Sequence, residues 1–171
     1  MTKFTRVLVL FSILMAMPLA YASQKIAFVN QAKLLQEAPQ AESARNKLQK
    51  EFSKRDKSLV SQQKKIKSNT EKLQKDAAIL SDTELNKLKR KITLLRRDLE
   101  RDQAAFKEDL TIRQNEELVK LQKSVLNAIL KVAEKQKYDL VVSDGVIYAS
   151  KQVDITDKIL AELKKQFKSG K

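Results

Sequence analysis

The sequence predicts an α+β, mostly α protein. A small body with three short strands per subunit carries a long, protruding, antiparallel helical coiled-coil hairpin. Three observations predict it. Phe52, Leu59, Ile66, Leu73 and Leu80 recur every seventh residue in a segment otherwise rich in Lys, Gln, Asp and Ser, and such a repeat keeps one seam on one side of a helix. A second stripe, Leu85, Leu88, Ile92, Leu95 and Leu99, follows at steps of three and four. Between them, Ser81-Asp82-Thr83-Glu84 has the pattern of a capping box, where a hydroxyl and a carboxylate satisfy the free amides of a new helix. One helix stops, the chain reverses, and a second zips back along the first.

The elements follow in order. Lys3 and Arg6 precede an apolar run from Val7 to Ala20, broken only by Ser12 and Pro18, and Ala20-Tyr21-Ala22 places small residues where a signal peptidase reads them. The run is shorter than the ~20 residues a membrane span needs, so residues 1–22 read as a signal peptide cut after Ala22, with an uncleaved membrane anchor as the alternative. Lys25-Ile26-Ala27-Phe28-Val29-Asn30 reads as a short strand with Ile26 and Phe28 on one face. Asn30 caps a short helix through Leu34 and Leu35, which Pro39 ends or kinks.

From Gln40 to about Leu80 there is no Gly or Pro and strong helix formers dominate, giving an arm of roughly 60 Å. The return helix runs from about Asp82 to Lys137. Its stripe drifts after Phe106 to Leu110 and resumes at Leu118, Leu121, Val125, Ile129 and Val132, the mark of a stutter. Tyr138 to Ser143 and Val146 to Ser150 are β-branched and aromatic-rich, and Asp144-Gly145 between them signals a tight antiparallel hairpin. Phe28 and Tyr148 are assigned to the core. Asp154 or Thr156 caps a closing helix with Ile155, Ile159, Leu160, Leu163 and Phe167 on one side. Residues 23–39 and 114–171 thus read as an oligomerisation body, and 40–113 as the hairpin arm. Three short strands leave open sheet edges and a small core, for which self-association is the simplest remedy.

Composition narrows the function. Without His or Cys, the commonest zinc ligands, triad bases and thiol nucleophiles are missing. Carboxylate pairs such as Asp98 with Asp102, or Glu108 with Asp109, sit among Arg97 and Arg101 as ordinary ion-pair partners. The two glycines are Gly145, in a turn, and Gly170, in the tail, so no phosphate-cradling loop exists. No catalytic residue, metal ligand or cofactor is expected. The formal net charge is +14, and loss of Lys3 and Arg6 leaves +12, which favours anionic partners. The outward arm, Gln40 to Leu80, has eleven bases against five acids. Lys54, Arg55, Lys57, Lys64, Lys65, Lys67, Lys72 and Lys75 are its candidate client-attracting surface. An export signal, with no tight Arg cluster or aromatic stacking platform, argues against a physiological nucleic-acid partner.

Short motifs in a fixed order carry a resemblance. Lys25 to Asn30, Arg113-Gln114-Asn115-Glu116-Glu117, Tyr138-Asp139-Leu140-Val141-Val142 and Asp154-Ile155-Thr156, set around a hairpin of this length behind a signal peptide, resemble the Skp/OmpH family of periplasmic chaperones. The resemblance implies a homotrimer whose body is a β-barrel with strands from all three subunits, and whose three tentacles enclose a cavity. It implies an ATP-independent periplasmic holdase that keeps unfolded outer-membrane proteins from aggregating before membrane insertion. Some members bind lipopolysaccharide through a basic cluster on the tentacle. Here Arg113 is the candidate for contact with lipopolysaccharide or anionic lipid, although Ile112 precedes it and Asp102 lies further up the helix. The alternative reading is a structural coiled-coil spacer or adaptor of the cell envelope, acting through the hairpin tip at Ala78 to Leu85.

Overall fold

A computed structural model describes residues 24–169, so the expected signal peptide, 1–22, lies outside the described residues. The elements run β1 (Ile26–Phe28), α1 (Gln31–Glu37), α2 (Pro39–Asp76), α3 (Asp82–Gln136), β2 (Leu140–Val142) and α4 (Thr156–Ser169). The mostly helical α+β class is as expected.

Local chemistry sets most of the boundaries. Asn30 caps α1, its side-chain oxygen accepting from the Lys33 amide at 2.9 Å. Ala38 is extended, at φ −62° and ψ 137°, because a residue before proline is pushed out of the helical region. Pro39 then opens α2 at a position where its missing N–H costs nothing. The 38 residues of α2 span about 57 Å. The helix ends at Asp76, earlier than the apolar stripe suggests, and the Asp76 carbonyl accepts from the amides of Ile79 and Leu80, both at 3.0 Å. Ser81 and Glu84 form the reciprocal capping box. The 55 residues of α3 run back about 80 Å and stop at Lys137, which takes a left-handed φ of 54°.

The sheet differs from expectation. Asp144 and Gly145 do turn, with Gly145 at φ +79°, but Val146 to Ser150 forms no strand. Instead β2 pairs parallel with β1, Ile26 opposite Leu140 and Phe28 opposite Val142. On the other side of β1, the Phe28 amide donates to Val153 (2.8 Å) and its carbonyl accepts from Ile155 (2.9 Å), around a parallel bridge to Asp154. Both sides of β1 are thereby occupied, and Val146 to Tyr148 does not pair with the one edge left open, the outer side of β2. Ile147 is fully exposed and Tyr148 is 83% exposed. Tyr148 is therefore not core in a single chain, and Phe28 is only half-buried. Parallel strands need a crossover connection, and here the entire hairpin serves as one.

Ala27 and Val29, not Ile26 and Phe28, point into the core. They join Leu34, Val125, Ala128, Ile155, Ile159 and Leu163, all nearly inaccessible to solvent, where α1, α3 and α4 meet. Beyond this root the arm has no second layer. Phe52 and Ile92 are buried in the seam, but Leu59, Ile66, Leu73, Leu95 and Leu99 are only half-buried. Truncating Ile159 to Ala should cost about 2–5 kcal/mol in denaturant unfolding. Val60→Ala, at an exposed site on the arm, should stay within about 0.5 kcal/mol.

Candidate binding surface of the hairpin

The stutter expected after Leu110 has a specific content. Seam positions there are taken by Arg113 and Glu117, which face α2 where apolar residues would otherwise sit. Arg113 lies 3.0 Å from Glu51 and 3.7 Å from Glu117, and also bonds Glu116. These carboxylates, Glu51 foremost and Glu116 next, hold its guanidinium pKa above the ordinary value. Glu117, with a side chain only 11% exposed, accepts from Lys47 and Lys120, each at 3.0 Å. Lys120 and then Lys47 keep its carboxyl below the usual glutamate range.

One turn outward, Arg55 pairs with Asp109 at 2.7 Å. Its guanidinium lies 5.8 and 5.7 Å from the rings of Phe52 and Phe106, which meet edge to face at 5.5 Å. Further out, the Gln62 amide donates to Asp102 at 2.9 Å, so Asp102 titrates below the ordinary aspartate range, through Gln62 first and Arg101 next. Past this pair, no ion pair joins the two helices among the described residues. Lys47 with Glu117, Glu51 with Arg113, Arg55 with Asp109 and Gln62 with Asp102 are each equidistant from residue 82, as constant antiparallel register demands. Sequence reasoning missed these partners. Folding the chain about the capping box would have placed them opposite one another.

The sequence-predicted basic residues divide into two groups. Arg55 is committed to Asp109, and Lys67 lies 3.9 Å from Glu71 on its own helix. Lys54, Lys57, Lys64, Lys65, Lys72 and Lys75 are exposed and make no ion pair. Arg113, the candidate anion contact, is engaged by carboxylates, so a phosphate there would compete with Glu51. Asp98 and Asp102 both face Arg101 at 3.2 Å, as ion-pair partners. No group of three or more potential metal ligands occurs among the described residues.

A long two-helix arm on a small βαβ root, with charged surfaces and shallow grooves, defines an arm-type macromolecule-binding protein. The chain belongs to the OmpH-like outer membrane protein family, whose model matches residues 25–163. It is 31% identical to the chaperone protein Skp of Pectobacterium atrosepticum over 84% of this chain and 87% of that protein. Against Skp of Escherichia coli the identity is 33%, covering 85% of this chain and 89% of the relative. A solved structure described as an OmpH-like chaperone of Caulobacter crescentus superposes with a TM-score of 0.73 at 13% identity, covering 85% and 86% of the two chains. That likeness concerns the fold.

The ion-pair cluster makes a testable statement about the arm. A carboxylate with a lowered pKa stabilises the folded form above its unfolded-state pKa, and that contribution is lost as pH falls through the folded value. Glu117→Gln should speed hydrogen exchange of α2 amides around Lys47 to Arg55 severalfold, leaving α4 unchanged. Acidification below the carboxylate range should reproduce this in the unmodified protein, with a smaller effect in the variant.

Proposed function

We propose that this protein is an ATP-independent, non-enzymatic holdase chaperone of the periplasm. It binds unfolded outer-membrane proteins in a cavity between helical arms and prevents their aggregation before insertion. The observation that carries this reading is the combination of OmpH-like family membership with an arm that leaves the core altogether. Such an arm has no interior of its own in which to hold a small substrate, but it reaches and encloses. The body (23–39 and 114–171) and the arm (40–113) divide the work, the first assembling copies and the second holding clients. The signal peptide, cut after Ala22, delivers the chain.

Self-association, as a homotrimer by family resemblance, is supported by the apolar surface one chain leaves open. Ile26, Leu140, Ile147 and Tyr148 are exposed together with the outer edge of β2, and uncovered strand edges recruit further strands. The unpaired lysines of α2 steer acidic clients over a distance. Anionic lipid or lipopolysaccharide is a secondary partner, through Arg113 once Glu51 is displaced. No cofactor, metal or nucleic acid is required.

Removing residues 63–101, beyond the Gln62–Asp102 pair, and closing the arm with a short turn tests the cavity. Oligomerisation should persist while suppression of aggregation of an unfolded β-barrel client is lost. Full activity of the shortened protein would contradict the cavity reading. In stopped-flow measurements client association should slow as salt rises through the range where screening shortens to a few ångströms; a salt-independent rate would remove the steering role.

A further inference from the structure

The two helices of the arm present different back faces. On α2 the side opposite Phe52, Leu59 and Ile66 is formed by Lys54, Lys57, Ser61, Lys65, Ser68 and Lys72, at steps of three and four and all exposed. It contains no apolar side chain. On α3 the side turned away from Ile92, Leu99 and Phe106 carries Leu94, Ile112, Val119, Leu126 and Leu130, each between 48% and 62% exposed, with Ile112 also bordering the groove beside Glu51, Phe52 and Arg55. Ile112, Val119 and Leu126 are one heptad apart and Leu130 is a turn further on. Leu94 precedes Ile112 by eighteen residues, about five whole turns, so all five share one face, and Ala105, exposed at the rim of the groove beside Ser58 and Leu59, lies between the first two.

The density of this stripe changes along the helix. From Leu118 to Leu130 it is thick and adjoins the body, which suits contact with another copy. From Leu94 to Ile112 it is thin. Two large apolar residues in five turns are fewer than either helix of the arm offers the other, one in seven on α2 and one in three or four on α3, and too few to zip a second helix. Around Leu94 lie Lys87, Arg90 and Arg97, none with a carboxylate partner. A partner for this part must offer scattered apolar groups and negative charge on a chain that adapts to them. An unfolded β-barrel segment alternates apolar and polar residues, and one of net acidic charge satisfies both demands.

We infer that the return helix α3 lines the client cavity, touching an acidic unfolded β-barrel chain through Leu94, Ala105 and Ile112, while the lysine–serine back of α2 faces bulk solvent. This rests on the holdase reading and adds which face does the holding. The α2 lysines then attract at long range without touching the client.

The test uses the full mature chain with a photo-crosslinking residue at Leu94 or Ile112, or at Ser61 or Ser68, mixed with a urea-unfolded acidic porin. Client adducts should form from the two α3 sites and be near background from the two α2 sites. Leu94→Asp with Ile112→Asp should weaken client binding about tenfold. Ser61→Asp with Ser68→Asp, the same change of charge on the other back face, should slow association at low salt but leave the dissociation rate within about twofold, with the oligomer intact in both. Equal or stronger adducts from Ser61 and Ser68, or copy-to-copy adducts at Leu94, would overturn the assignment of the face. Absence of adducts from all four sites, together with no suppression of porin aggregation by the unmodified protein, would sink the holdase reading itself.

Discussion

The arm is held by a seam one side chain wide, and the rest of the molecule is arranged around that constraint. Two helices that leave the body together have no sheet or third helix to bury against. Their contact can draw only on what each turns toward the other. Near the root that is substantial: Phe52 against Phe106, Arg55 spanning both rings and Asp109, and Glu51 and Lys47 clasped by Arg113 and Glu117. Toward the tip no ion pair crosses among the described residues, and apart from the buried Ile92 the seam thins to half-buried leucines and isoleucines, a heptad apart on α2 and three or four apart on α3. A gradient from braced to loosely zipped follows directly, since local opening is easiest where few apolar groups are buried.

The same constraint links charge to function. A solvent-washed helix pair must be polar on most of its surface, but it need not be so unequally basic. The exposed lysines of α2 are largely without acid partners, and exposed ion pairs contribute little to stability anyway. Their collective field reaches much further than any pair contact. Under the holdase proposal, such a field would attract guests from a distance, and a thin seam would yield to guests that differ in size and lack structure. The root does the opposite work. Tight packing of Leu34, Val125, Ile155, Ile159 and Leu163 holds the base of the arm, while Ile26 and Leu140 of the small sheet stay exposed.

Much of this was legible before any coordinates. The Ser81–Glu84 capping box, the Asn30 cap and the Asp144-Gly145 turn are local features, and each forms where its chemistry places it; the heptad stripe does so from Phe52 to Leu73, while Leu80 falls in the turn. The topology of the sheet was less so. A turn signal between two β-branched runs argues for a local antiparallel hairpin, but β1 and β2 pair in parallel across more than a hundred intervening residues. No short-range pattern records that. Asp154 and Ile155 carry the signal of a helix start, and they also flank β1. The candidate surface is half visible in the sequence: its lysines stand out in composition, whereas the Glu51–Arg113 and Lys47–Glu117 pairs depend on the register of two helices. The alternation of Ile26 and Phe28 was seen, but which side faced inward was decided by the small Ala27 and Val29, against which α3 and α4 pack closely.

The most direct measurement is light scattering coupled to size exclusion, on the mature chain alone and after mixing with an unfolded outer-membrane protein diluted from urea. A stable oligomer that takes up one client and keeps it in solution is the predicted result. A lone monomer, or an oligomer beside which the client still precipitates, would contradict the account.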